Sequence, residues 1–346
     1  MSRFLQLHLV TFFPPANLNR DDTGRPKTAI VGGATRLRLS SQALKRAWRT
    51  SETFSAALAG HMGKRTQRLG EVVLAHLLEG GMDQDKALAA AREIAGAFGT
   101  IKDLKDDSPA QTKQLAFVSP EEQKAALALA DRARAGEKID AKAAGLLRTA
   151  DTAADIALFG RMLADSPSYN REAAAQVAHA ITTHKVIVED DYYTAVDDLK
   201  TSAEDAGAGF LGEAAFGSGV FYLYLCIDRT LLLKNLGGDA RLAATAVGAL
   251  AEAAATVAPR GKQNSFAAHG RAHYVLAELG DRQPRTLAGA FAKPVDGTDL
   301  MDKSIEELER FRNQLDTAYG PAATESATMQ VGKSGSLAEI ITFCRG

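Results

Sequence analysis

The residues best suited to bind an anion lie between Ser40 and Arg49, in the segment SSQALKRAWR. On a helix, the spacing i, i+3, i+4 and i+7 places four polar or basic side chains on one face: Gln42, Lys45, Arg46 and Arg49. Apolar residues, Trp48 among them, occupy the opposite face. Ser40 stands where an N-cap belongs, and the N–H groups at a helix start attract phosphate. The segment predicts a helix that packs through one face and binds a polyanion with the other. The alternative is a basic face that is only solvated.

A second group with possible chemistry is the loop Asn19-Arg20-Asp21-Asp22. Adjacent carboxylates such as Asp21 and Asp22 can hold Mg²⁺ or serve in acid–base catalysis. They can equally cap a turn or pair with Arg20 and Arg25. Both interpretations stay open on the sequence alone.

The histidines and cysteines predict no metal or cofactor site. His179 and His184 lie in a segment that favours a strand, and their spacing would point the two rings to opposite faces. Cys226 and Cys344 belong to no CxxC pair, and no GxSxG, HExxH or GxGxxG occurs. We expect no cofactor and no bound metal.

The composition is that of a globular protein: 46% of the 346 residues are hydrophobic and 24% are charged. The length suits two domains or one large one. The two cysteines exclude a disulfide scaffold and fit a reducing compartment. The uncharged stretch from Ala214 to Ile227 is too short to cross a bilayer, and the start of the chain is too short and polar for a signal peptide. We expect a cytoplasmic protein with no membrane association.

Charge is distributed unevenly along the chain. Residues 1–70 contain 12 Lys and Arg but only three Asp and Glu, whereas the whole chain is balanced at 41 against 42. An excess of this size favours a polyanion-binding face on the N-terminal part.

The elements that must position these residues change in type along the chain. Strands are predicted at 4–10, 36–40, 220–227 and 273–279, and the segment 178–196, rich in β-branched and aromatic residues, is also typical of strand. Helices are predicted at 41–50, 86–98, 120–135, 141–163, 240–257 and 302–316; the third begins at the capping box Ser119-Pro120-Glu121-Glu122. Residues 13–35 predict an irregular loop. Without the helical block between 55 and 165, the order β–α–β–β–α–β is typical of a ferredoxin-like or RRM-like sheet.

Several segments, in order, resemble the CasC family, the backbone subunits of the type I-E CRISPR surveillance complex Cascade. They are LNRDD (18–22), the Lys27 loop, VGG (31–33), SSQALKRA (40–47), DIALFGRM (155–162), AHAITTH (178–184), TAVDDL (194–199), SGVFY (218–222), NLGG (235–238) and GKQ (261–263). One departure is the segment REAAAQV before AHAITTH, where methionine recurs in the family. The helical block resembles the family only in character, and the chain after about residue 285 is not distinctive.

The resemblance implies an α+β fold built like a hand. An RRM-like (ferredoxin-like) palm comprises residues 1–54 and 177–346, a helical fingers insertion comprises 55–176, and a long thumb hairpin comprises 200–219. In the family, copies stack head to tail along the spacer of a CRISPR RNA guide, and the thumb of one copy displaces a base of the RNA held by the next. The implied partners are the guide, target DNA paired with it, other copies, other Cascade subunits and a recruited helicase–nuclease.

The resemblance also assigns residues to the RNA. Phosphate contacts are expected from Arg20, Lys27, Lys45, Arg46 and Arg49, with Arg161 and Lys262 as further candidates. Ser40 and Gln42 would hydrogen-bond the RNA backbone or sugar. Leu211 and Phe216 of the thumb would wedge beside the displaced base.

Two functions are compatible with the sequence. The first is a non-catalytic RNA-binding filament subunit, which needs only phosphate and shape contacts because base pairing delivers sequence readout. The second is a metal-dependent endoribonuclease of a CRISPR effector using Asp21 or Asp22, since related type III backbone subunits use a loop aspartate. The lack of any other catalytic constellation favours the first, a protein that is not an enzyme.

Overall fold

The computed structural model of the chain describes residues 2–195 and 210–346. They form two compact units: the first comprises Met1–Phe54, Val177–Cys226 and Leu250–Gly346, and the second comprises Ser55–Gln176 and Ile227–Ala249. The breaks after 54 and 176 fall at the predicted bounds of the helical insertion, whereas the sequence does not predict that 227–249 join the second unit. Residues 200–209 of the predicted thumb lie outside the described residues.

The described residues contain both strands and helices. The strands are β1 (Phe4–Ala16), β2 (Thr28–Val31), β3 (Ala34–Leu39), β4 (Lys64–Thr66), β5 (Ala116–Val118), β6 (Ala175–Val177), β7 (Ala180–Thr182), β8 (Glu189–Ala195), β9 (Phe210–Asp228), β10 (Ala272–Gly280) and β11 (Glu325–Gln330). The helices are α1 (Ser41–Arg49), α2 (Glu52–Ala57), α3 (Leu69–Glu79), α4 (Gln84–Gly96), α5 (Pro120–Arg134), α6 (Ala154–Phe159), α7 (Arg229–Asn235), α8 (Ala240–Thr256), α9 (Gln263–Phe266), α10 (Leu300–Tyr319) and α11 (Leu337–Arg345). Two short 3₁₀ turns occupy Pro167–Tyr169 and Ala288–Phe291. None of the helices in 2–195 and 210–346 has both the length and the hydropathy that a membrane span requires.

The first unit is built on a sheet with the strand order β11-β10-β1-β9-β7-β3-β2, and β8 pairs with the first part of β9. β1 runs antiparallel to β10, from Phe4 opposite Gly280 to Val10 opposite Tyr274. Consecutive residues of β1 are buried, so both faces of the sheet are covered there. On one face, Ile305 of α10 packs in the same apolar cluster as Val10 and Tyr274. The fold is α+β with an antiparallel sheet, as the sequence predicts.

The predicted loop at 13–35 is shorter in the structure. β1 continues to Ala16, and β2 and β3 form an antiparallel hairpin in which Val31 lies opposite Ala34. The two residues between them, Gly32 and Gly33, have φ values of 58° and 73°. Because a two-residue hairpin turn needs positive φ at both positions, glycine closes this one without steric cost. The glycines that suggested a loop therefore close a hairpin.

The second unit is helical. α3, α4 and α5 meet in a core that includes Val73, Ile94 and Ala130. The capping box at the start of α5 is confirmed, because Ser119 Oγ accepts from the Glu122 N–H (3.1 Å) and Glu122 Oε2 accepts from the Ser119 N–H (3.0 Å). Each of these bonds satisfies a donor that the helix itself leaves unpaired.

The prediction of a helix across 141–163 is wrong, since only α6 forms there. The Arg148 N–H donates to Glu122 Oε1 (2.8 Å), and the Arg148 carbonyl accepts from the guanidinium groups of Arg161 and Arg171 (2.8 and 3.0 Å). Backbone groups that serve side chains in this way are not available to a helical hydrogen-bond ladder.

Candidate nucleic-acid interface

Helix α1 has the two faces that its sequence predicts. Ser40 is its N-cap, and the Ser40 Oγ accepts a hydrogen bond from the Ala43 N–H (3.3 Å). Leu44 and Trp48 are buried against the first unit. The other face carries residues that are exposed or half-buried: Gln42, Lys45, Arg46 and Arg49. The helix thus packs through one face and presents a basic face to the surroundings.

Lys45 is partly buried on this face. Burial lowers the pKa of the Lys45 ammonium from its usual value, because desolvation disfavours the charged form. An anion in contact with the ammonium would recover part of that cost. Lys45 therefore remains a candidate phosphate contact on the basic face of α1.

Asn19 ties the loop before β2 to the start of α1. Its Oδ1 accepts from the Ser40 N–H (2.8 Å), and its carbonyl accepts from the Lys27 N–H (2.8 Å). The Lys27 carbonyl in turn accepts from the Arg38 N–H (2.8 Å). This chain of hydrogen bonds brings the predicted residues Lys27 and Ser40 together with Arg38.

Arg20 and Lys262 line one pocket of about 330 Å³ in the first unit, although they are far apart in the sequence. The pocket lies where the loop that follows β1 meets the start of β9. Asn17 joins these elements, since its Nδ2 donates to the carbonyl oxygens of Gly24 and Ala215, both at 2.9 Å. Arg20 and Lys262 are both exposed, so an anion can reach them.

The β8–β9 hairpin carries the described part of the predicted thumb. Its first strand is tied to the Asn19 loop by an ion pair between Arg25 and Asp190 (2.7 Å). Phe216 is half-buried, and its ring centroid lies 6.0 Å from that of Phe266. Phe216 therefore packs on its own unit in the free chain. Leu211 lies on β9, but its side chain lies outside what the structure describes.

Asp21 stabilises its own turn. Its Oδ1 accepts from the Thr23 N–H (3.0 Å), the Thr23 hydroxyl (2.8 Å) and the Arg25 N–H (2.9 Å). These hydrogen bonds, that of the Thr23 hydroxyl above all, lower the pKa of the Asp21 carboxyl. Across 2–195 and 210–346, no three His, Cys, Asp or Glu residues are grouped to hold a metal ion. Of the two interpretations left open for this loop, the turn accounts for the contacts of Asp21.

Arg161 has a different role from the one expected. Its side chain has no exposed surface and forms an ion pair with Glu122 at 2.6 Å. It also donates to the carbonyl oxygens of Phe117, Arg148 and Tyr169 (3.0, 2.8 and 3.2 Å). A guanidinium buried among these partners does not reach an RNA phosphate. The structure corrects the assignment of Arg161, which stabilises the second unit.

The structure adds Arg38 to the candidate interface, a residue that the sequence analysis does not single out. Arg36 and Arg38 project from the same face of β3 because strand side chains alternate. Arg36 is fully buried and donates to the carbonyl oxygens of Thr182 and Phe291 (2.9 and 3.0 Å). Arg38 is half-buried, and its Nη1 lies 2.7 Å from His179 Nδ1. The alternating pattern RLRL in β3 is the signal that could have found it.

Known proteins resemble the chain over almost its full length. A family model described as CT1975-like protein matches residues 5–341. A chain of a solved "CRISPR RNA-guided surveillance complex, pre-nicking" is 30% identical, with 99% of both chains covered and a TM-score of 0.86. A chain of another "CRISPR RNA-guided surveillance complex" is 27% identical, with 97% of this chain and 94% of that chain covered and a TM-score of 0.74. No curated protein matches.

The chain belongs to the CT1975-like protein family. It is homologous to subunits of CRISPR RNA-guided surveillance complexes. This confirms the coarser part of the resemblance seen in the sequence.

Proposed function

We propose that this protein is a non-catalytic, RNA-binding backbone subunit of a type I-E CRISPR Cascade complex. It binds the spacer of a CRISPR RNA guide, oligomerises with other copies head to tail along it, and presents the guide for pairing with target DNA. Other Cascade subunits complete the assembly, and a recruited helicase–nuclease acts on it. The observation that carries the proposal is the meeting of Lys27, Arg38 and the start of α1 around Asn19. It occurs in a chain that matches a subunit of an RNA-guided complex over 99% of its length.

The strand order supports an RRM-like palm. With the insertion left out, β1, β7, β9 and β10 are the four strands of the β–α–β–β–α–β order. If these four strands are numbered in chain order, their order in the sheet is fourth, first, third, second, that is, β10-β1-β9-β7. The helical second unit would be the fingers, and the β8–β9 hairpin would belong to the thumb.

The residues of the interface suit binding that does not depend on RNA sequence. Ammonium and guanidinium groups and the N–H groups of a helix start bind phosphate, and phosphate contacts carry no base code. Sequence readout then belongs to base pairing between the guide and its target. A protein with this task needs no catalytic group.

The alternative, a metal-dependent endoribonuclease, has less support. Asp21 Oδ1 already accepts three hydrogen bonds within its own turn. Asp22 is exposed, and the described residues hold no metal cluster for it to complete. We therefore propose that the protein is not an enzyme.

Purification tests the RNA-binding role directly. RNA should co-purify with the protein, and its length should set the size of the particle. Guides of equal length with unrelated spacers should bind within a few-fold of each other, because phosphate contacts are shared. A strong preference for one spacer, with RNA secondary structure matched, would contradict the proposal.

The thumb assignment has its own test. Leu211→Asp should leave the free subunit folded but prevent its assembly on the guide, because an apolar wedge between bases cannot be replaced by a charge. Leu115→Asp is a matched control, since Leu115 is 53% exposed in the second unit. Circular dichroism and gel filtration, with and without guide RNA, distinguish the outcomes. If Leu211→Asp unfolds the free subunit, Leu211 is a core residue and the thumb assignment fails.

A further inference from the structure

Arg38 differs in its partners from three other arginines of the first unit. Arg36 donates to two carbonyl oxygens, while Arg285 and Arg312 bind the Glu278 carboxylate (2.6 and 2.8 Å). Arg38 has no carboxylate within ion-pair distance among residues 2–195 and 210–346, and its side chain contacts His179 Nδ1 at 2.7 Å. A guanidinium has five N–H donors. Most of the donors of Arg38 are therefore available to a ligand.

The contact with Arg38 determines the state of the His179 ring. Because a guanidinium only donates, Nδ1 must accept, and the ring is neutral with its N–H at Nε2. His179 is exposed, and partial desolvation first, and then the charges of Arg38 and Lys27, lower its pKa, which favours the neutral ring. The two charged groups that act on this pKa, Arg38 and Lys27, are both cations.

Arg38 also lies between two groups already placed at the interface. Its N–H donates to the Lys27 carbonyl (2.8 Å), and β3 ends one residue before Ser40, the N-cap of α1. An arginine fork, a lysine and a helix start are each groups that bind phosphate. Phosphate is therefore the kind of anion that suits each of the three groups.

We propose that Arg38 binds a phosphate of the RNA and that His179 is the residue that positions it. This inference rests on the RNA-binding function proposed above and adds two residues to it. His179 holds Nη1 in place through Nδ1, so the rest of the fork is oriented before the ligand arrives. Such preorganisation reduces the side-chain entropy that binding must overcome.

The test measures binding of a synthetic guide of fixed length to the full chain over a series of salt concentrations. Arg38→Ala should weaken binding by about tenfold, as expected for a charge-assisted hydrogen bond, and should lower the magnitude of the salt slope by about 0.7. Arg38→Lys should keep the slope and lose part of the affinity, because an ammonium cannot form the fork. Arg310→Ala, which removes an exposed charge from α10, is the matched control and should change neither quantity.

Variants of His179 separate positioning from direct contact. His179→Ala should weaken binding less than Arg38→Ala, and the double variant should bind like Arg38→Ala alone, because His179 acts only through Arg38. His179→Asn should restore binding, since its amide oxygen can accept from Arg38 where Nδ1 did. Additive effects, or a failure of asparagine to rescue, would overturn the positioning role.

The outcomes also distinguish this inference from the proposed function. If Arg38→Ala binds like the wild type while Lys45→Ala/Arg49→Ala binds weakly, Arg38 holds no phosphate and the RNA-binding function stands. If the wild-type chain binds no RNA, the proposed function itself fails. Circular dichroism shows whether the alanine variants fold. If they do not, the RNA affinities of the single variants Arg38→Lys and His179→Asn test the inference instead.

Discussion

Arginines of the two units differ in what surrounds them. In the second unit, Arg161 is buried and forms an ion pair with Glu122 at 2.6 Å. In the first unit, Arg46 is exposed and Arg38 is half-buried, and no carboxylate of the described residues lies within ion-pair distance of either. Arg161 and Arg46 both lie in segments that resemble the CasC family, DIALFGRM and SSQALKRA. A basic residue in such a segment is therefore a poor candidate for an RNA contact where the fold buries it against an acid.

The largest effect that tests this comparison is expected for Arg161→Ala. It leaves the Glu122 carboxylate buried and unpaired, so the free energy of unfolding should fall by about 3–5 kcal/mol. Urea denaturation measures it. The control is Arg132→Ala, because its ion pair with Glu137 (2.7 Å) is exposed and contributes less than about 1 kcal/mol. If Arg161→Ala keeps its stability and loses RNA affinity, Arg161 is an RNA contact and the comparison is wrong.

Acid should destabilise the buried ionic cluster of the first unit. Burial raises the pKa of Glu278, but hydrogen bonds from His8 and Arg285 outweigh it and hold that pKa well below its usual value of 4.5. Burial also lowers the pKa of His8 from 6.5. A group whose folded pKa is depressed contributes stability above its unfolded pKa and loses it as the pH falls. Melting temperatures should therefore drop from about pH 6.5 downward, through His8 first and Glu278 below 4.5.

Glu278→Gln separates the two groups. Melting below pH 4.5 should depend less on pH in the variant, because the carboxylate that must be protonated is gone. The fall in melting temperature above pH 4.5, which comes from protonation of His8, should remain. If the melting temperature falls identically below pH 4.5 in the wild type and the variant, Glu278 does not control that fall.

Removing two cations from the basic face of α1 should reduce the salt dependence of RNA binding. Lys45→Ala/Arg49→Ala should lower the magnitude of the salt slope by about 1.4 if both side chains contact phosphate of single-stranded RNA. All spacer sequences should be weakened about equally. Arg310→Ala/Lys333→Ala removes the same charge elsewhere in the first unit and is the matched control. An unchanged slope would place Lys45 and Arg49 on a solvated face.

The smallest effect is expected for Asp21→Ala. It removes the acceptor of three hydrogen bonds in an exposed turn, so melting should change slightly. The assembled complex, incubated with paired RNA and Mg²⁺, should cleave nothing with either aspartate or alanine at this position. Cleavage by the wild type that is lost in Asp21→Ala would establish the endoribonuclease alternative.

Features that depend on residues close together in the sequence could be predicted from the sequence. The helix at 41–50 follows from an N-cap and a 3.6-residue period, and the capping box at Ser119 follows from four adjacent residues. The sequence alone does not predict the hairpin at Gly32 and Gly33, because a glycine pair closes a turn only if the strands on either side of it pair. No helix forms between residues 141 and 153, because the backbone of Arg148 is hydrogen-bonded to the side chains of Glu122 and Arg161. No local sequence pattern encodes these bonds.

The sequence by itself determined the α+β class, the family resemblance and the basic face of α1, because these depend on composition, period and the order of local segments. Only the tertiary structure decided which cations are available. Glu122, whose carboxylate pairs with the buried Arg161, lies 39 positions away in the chain. The histidine that contacts Arg38 lies 141 positions away. The free energy of a charged side chain depends on its burial and on the charges within a few ångströms of it, and that neighbourhood exists only once the chain has folded.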